Sequence, residues 1–139
     1  MDLLHLLDRS PATEAFKADV RAFLAHQPAP RVATARLAPR VKVARVLTQL
    51  LHTQPDLAVD RVRVDAVSGC SDFRGTLTVE ADGATRTFTF AWCCQWRADL
   101  EGWRDAFGFS DQIRAAREFD WRCFERWREV GVDEGALQR

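Results

Sequence analysis

The sequence predicts an α+β fold: a three-stranded antiparallel β-meander with helices from both termini packed on its apolar face, ordered α-α-α-β-β-β-α-α. Three observations predict it. Apolar residues recur at helical spacing before residue 55 and after residue 94, they alternate with period two between, and Asp82-Gly83 separates two of the alternating runs. The chain has 139 residues. That suits one domain over 1–139, large enough to bury a core without disulfides or metal.

Met1 to Asp8 reads as a short helix. Ser10-Pro11 is a helix start, since Ser accepts an orphan N–H and Pro at the first helical position loses none. Phe16, Val20, Phe23 and Leu24 then repeat at helical spacing, predicting a helix over about 11–26. Pro28 and Pro30 end it, and 31–38 reads either as loop or as a short edge strand. Pro39 opens the next helix, whose apolar stripe is Val43, Val46, Leu47, Leu50 and Leu51.

Val62, Val64 and Ala66 alternate with Arg61, Arg63 and Asp65, the pattern of a strand buried on one face. A second strand follows from Phe73. Asp82-Gly83 suits a type I′ turn, because both central residues need positive φ. That turn implies a register: Ala81 opposite Ala84, Val79 opposite Arg86, Leu77 opposite Phe88, Gly75 opposite Phe90 and Phe73 opposite Trp92. Thr78 then meets Thr87 and Thr76 meets Thr89, so one face is apolar and the other a ladder of hydroxyls. Beyond Cys94, Trp96, Leu100, Trp103 and Phe107 return to helical spacing, with Gly108 as the stop. Ser110-Asp111 caps a last helix that runs to Val130 and closes at Gly131.

On a helical wheel, Ile113, Ala116, Phe119, Cys123, Phe124, Trp127 and Val130 share one arc of that last helix, and Asp120 falls inside it. A bare buried carboxylate is costly, so Asp120 needs a partner. With Gln112 it forms the polar lining of a pocket between helix and sheet, joined by Cys94 and Cys123, or else it makes an internal salt bridge, for which Arg117 is nearest. Cys70, Cys93, Cys94 and Cys123 match no metal spacing, and neighbours on a strand point to opposite faces. Core packing accounts for them. No Gly-rich nucleophile elbow, phosphate loop or HExxH pair accompanies His5, His26 and His52. Catalysis is therefore the lesser reading, and no cofactor or metal is called for.

The basic residues are 18 Arg and 2 Lys against 20 acidic residues, for a net charge of zero. That balance weakens the electrostatic case for a dedicated nucleic-acid binder. The distribution is uneven, because no acid lies between Asp19 and Asp56, where Arg21, Arg31, Arg36, Arg40, Lys42 and Arg45 fall. Of the fourteen aromatics, twelve lie between Phe73 and Trp127, including all five Trp. Trp103 and Trp121 are the candidates for a partner surface, where Trp and Arg are favoured anchors.

The element order over 39–130, α-β-β-β-α with an insertion, resembles the double-stranded-RNA-binding domain. In that family a lysine cluster at the start of the final helix grips phosphates; here the same place reads Ser110-Asp111-Gln112-Ile113, which is acidic, and the resemblance stops at topology. The residues support first a cytoplasmic, non-catalytic interaction module that binds a protein partner or self-associates through an Arg/Trp surface. The alternatives are a small-ligand, metal or redox pocket beneath the last helix, and an RNA-binding module using the basic 31–45 segment. No apolar run reaches membrane-spanning length.

Overall fold

The computed structural model describes residues 3–34, 40–68, 73–92 and 124–134. The elements are α1 (Leu3–Arg9), α2 (Glu14–Leu24), β1 (Val32–Thr34), α3 (Arg40–Thr53), β2 (Val59–Ser68), β3 (Phe73–Ala81), β4 (Ala84–Trp92) and β5 (Phe124–Asp133). The strands form one five-stranded mixed sheet in the order β1-β2-β3-β4-β5. The fold is α+β, but the expected three-stranded meander is the centre of a wider sheet. Val32–Thr34 adds a short edge strand parallel to β2, and β5 adds an antiparallel strand beside β4.

The start of α2 moves from the expected Ser10 to Thr13. Thr13 donates its backbone N–H to the carbonyl of Val59 at 2.9 Å, which holds it extended, and its hydroxyl accepts the Phe16 N–H at 3.1 Å. Ser10 instead accepts the N–H of Ala12. At the other end, Gln27 N–H bonds the Ala22 carbonyl and His26 N–H bonds that of Phe23, with His26 left-handed at φ 61°. This is a Schellman stop with histidine where glycine is usual. The α3 stripe is as the periodicity predicts: Val43, Val46, Leu47, Leu50 and Leu51 are all buried.

Asp82 and Gly83 adopt φ of 52° and 73°, the left-handed pair a type I′ turn needs. Every pairing implied by that turn is present, from Ala81 opposite Ala84 to Phe73 opposite Trp92, with Leu77 opposite Phe88 at the middle. Val62, Val64, Leu77, Val79, Phe88, Phe90 and Trp92 thereby face inward, into one core cluster with Leu7, Phe16, Val20 and the α3 stripe. Each such side chain contributes about 1.5–3 kcal/mol through burial.

The expected last helix is not a helix over its described part. Residues 124–133 form a strand. Phe124 and Trp127 are three apart, a helical spacing, yet both lie beside the inward residues of β4, because the β4–β5 register skips one residue between Arg126 and Phe124. A bulge of this kind turns a three-residue step into a same-face step. A second bulge passes over Val130, expected in the buried arc and instead 48% exposed, while Gly131, the expected helix stop, pairs with Thr87. This strand also breaks the double-stranded-RNA-binding element order, which requires a helix there. The expected helix around Trp96 to Phe107 lies outside the described residues.

Ring contacts fasten β5 to the sheet. Trp92 and Phe124 meet edge to face at 4.9 Å between centroids, and Phe88 stacks on Trp127 at 5.6 Å. Such pairs add about 0.5–1.5 kcal/mol each beyond burial.

Two substitutions test the backbone geometry in opposite directions. Gly83→Ala places a Cβ at positive φ and is expected to lower the unfolding free energy by about 1 kcal/mol, whereas His26→Gly is expected to raise it by up to about 1 kcal/mol. Urea midpoints at unchanged slope read both.

Candidate interaction surface

A strand buried on one face presents its alternate residues on the other, and β2 to β5 all do so. Reading across the sheet gives four rows. Nearest the hairpin turn lie Arg61, Glu80, Thr85 and Asp133, followed by Arg63, Thr78, Thr87 and Gly131. Asp65, Thr76, Thr89 and Arg128 form the third row, and Ser68, Arg74, Ala91 and Arg126 the fourth. Four strands at ~4.8 Å spacing make this outer face roughly 14 Å wide.

The threonines are half-buried, while Arg61, Arg63, Arg74, Arg126 and Arg128 are exposed. Arg63 pairs with Asp65 at 3.0 Å. Among the described residues the other four guanidiniums have no carboxylate within 4.0 Å. A shallow depression of about 160 Å³ opens between Arg61, Arg63, Thr78 and Glu80. The face thus offers five forked cationic donors over a floor of hydroxyls, suited to planar carboxylates.

The basic segment singled out in the sequence is disposed differently. The Arg31 guanidinium lies 3.6 Å from Asp19 and 3.9 Å from Asp60, and its backbone N–H donates to Asp19 at 3.0 Å. Arg40 donates to the Phe23 carbonyl and sits over the Phe23 ring at 4.9 Å. Lys42 lies over Phe73 at 5.6 Å and Arg45 over Trp92 at 4.6 Å. These cations pack α3 and β1 onto neighbouring elements. Arg45 over Trp92 packs α3 against β4 and is not the partner surface expected of the arginines and tryptophans. Arg36, Cys94, Trp103, Gln112, Asp120, Trp121 and Cys123 lie outside the described residues.

Sequence reasoning named none of Arg61, Arg63, Arg74, Arg126 and Arg128 as surface candidates, although it put Arg61 and Arg63 opposite the buried face of their strand. Arg74 was legible, because the hairpin register puts it on the hydroxyl side. Arg126 and Arg128 alternate with Trp127 and Glu129 at period two, but the three-residue step from Phe124 to Trp127 mimics a helix.

Among the described residues, the inner face carries the charge pair of Arg86 and Glu129. Arg86 opposes Val79, as the turn requires, and its Nε lies 3.2 and 3.0 Å from the two Glu129 carboxylate oxygens. Its Nη2 donates to Glu129 and also, at 3.4 Å, to Gln54 Oε1. The two side chains are 24% and 27% exposed, which excludes enough water for the fork to matter. Trp127 Nε1 and Gln49 Oε1 are buried without a hydrogen-bond partner among the described residues.

No family model, curated protein or solved structure matches this chain. Among the described residues, no helix is long and apolar enough to cross a membrane.

Glu129→Gln is expected to destabilise the fold by about 1–2 kcal/mol, since it leaves a half-buried guanidinium without its countercharge. Arg86→Met combined with Glu129→Met should cost about 1 kcal/mol less than the two single changes added together. Chemical denaturation of the three variants supplies the cycle.

Proposed function

We propose that this chain is a non-catalytic interaction module that docks an acidic protein segment on the outer face of its sheet. The observation that carries this reading is the set of five exposed guanidiniums, Arg61, Arg63, Arg74, Arg126 and Arg128, on the hydroxyl face. Among the described residues three carboxylates share the face, Asp65, Glu80 and Asp133, and Asp65 is taken up by Arg63. Positive charge is therefore in excess, most of all where Arg74, Arg126 and Arg128 surround Thr76, Thr89 and Ala91.

Carboxylates fit this face better than nucleotides do. Single-stranded RNA bound on a sheet surface is held largely by stacking on aromatic rings. The described rings of this sheet point inward, into the core. The cations at 31, 40, 42 and 45 support an RNA reading weakly, because each faces a partner within the chain. The interaction module expected from the sequence is kept, with the sheet face in place of the Arg31 to Arg45 segment.

Polyglutamate is the probe that tests it. Binding measured by calorimetry is expected at low ionic strength and should fade steeply as salt shortens the screening length from about 10 Å at 0.1 M to about 3 Å at 1 M. Arg61→Ser with Arg74→Ser should weaken it at least several-fold. An RNA oligonucleotide bound more tightly than polyglutamate, or an unchanged affinity in the double variant, overturns the reading.

A further inference from the structure

We infer that β5 is a self-pairing edge, through which two copies of the chain join antiparallel into one continuous sheet. Residues 124–133 form an edge strand, and no described strand pairs with its far side. An edge of ten residues leaves a row of backbone donors and acceptors that readily template another strand. It is also where the described surface is most apolar. Of the exposed large hydrophobic residues among those described, Val130 at 48% and Val132 at 52% lie here and Leu4 lies elsewhere.

The bulge at Val130 selects the register. In a regular strand, antiparallel self-pairing keeps inner residues opposite inner residues only when the two-fold axis passes through a residue or between alternate ones of like face. In β5 the residue passed over at Val130 reverses the alternation. Arg126 and Arg128 face outward before it and Gly131 and Asp133 after it, whereas Trp127 and Glu129 face inward before it and Val132 after it. An axis between Glu129 and Val130 therefore sets outer against outer and inner against inner along the strand.

The contacts in that register are complementary. Arg126 falls opposite Asp133 of the second copy, twice by symmetry, on the outer face. Trp127 falls opposite Val132, covering a valine that the single chain leaves half exposed, and Arg128 meets the small Gly131. Moving the axis one residue further along also matches faces and sets Arg128 opposite Asp133, but it takes Val132 away from Trp127 and lays it against Glu129, which Arg86 already holds. Moving it one residue back opposes Arg128, an outer residue, to Glu129, an inner one. Paired sheets would also join the two arginine faces edge to edge, but the pairing does not depend on the docking of an acidic partner.

The test uses two single-charge variants of the full chain, Arg126→Asp and Asp133→Arg, each confirmed as folded by circular dichroism. The native chain is expected to be a dimer by sedimentation at micromolar concentration with no partner present. Each variant alone places like charges opposite each other at both symmetric contacts and should dissociate at least ten-fold more readily. Mixed in equal amounts they form two correct charge pairs, so the dimer should return. A monomeric native chain, variants that dimerise as well as the native chain, or a mixture that stays monomeric overturns the inference. Polyglutamate binding is measured separately, so its failure leaves this result standing and the converse also holds.

Discussion

The turn at Asp82-Gly83 is the constraint on which the rest of the structure depends. Two residues with positive φ give the hairpin its right-handed twist and set β3 against β4 without slack, and a slip of one position would send Leu77, Val79, Phe88 and Phe90 to the water side. Everything else is measured from that hairpin. The helices bury their stripes against its apolar side, β2 and β5 extend it on either flank, and the threonines occupy the other side.

Two strands depart from simple alternation in the same manner. In β2 the register skips Asp60, so Val59 and Val62, three apart, both point into the core. In β5 the skipped residue lets Phe124 and Trp127 do the same. The bulge in β2 has a structural use: the Asp60 carboxylate accepts the Thr13 hydroxyl hydrogen at 3.2 Å and lies 3.9 Å from Arg31, tying the start of α2 and the chain before β1 to the sheet. The bulges of β5 bring Glu129 to Arg86, neutralising the charge that the hairpin register sends to the apolar side.

Arginine plays two distinct parts here. On the inner side it is structural: Arg40 and Arg45 spread over aromatic rings, where a delocalised guanidinium sheds water more readily than an ammonium would, and Arg86 forks onto a carboxylate. On the outer side Arg61, Arg74, Arg126 and Arg128 extend into solvent. The same residue type in the same chain is thus packed or solvent-exposed according to the face it occupies. Net charge, which is zero, reveals neither part.

How much was legible in the sequence follows from which interactions are local. Helical stripes in α2 and α3, the positive-φ turn and the alternation flanking it are all specified within a few residues, so the two helices and the full β3–β4 register could be read directly. The ladder of threonine hydroxyls followed from that register, whereas the β2–β3 pairing that sets Arg63 beside Thr78 came from the tertiary structure. The parallel pairing of Val32–Thr34 with β2 and the strand over 124–133 could not be read, because both are made by hydrogen bonds to residues distant in the chain, and a bulge erases the period-two signal that would have announced the second. Tertiary structure likewise decided which cations are occupied: Arg31, Arg40, Lys42 and Arg45 form a basic run in the sequence, but helix docking lays them on acids and rings contributed from elsewhere.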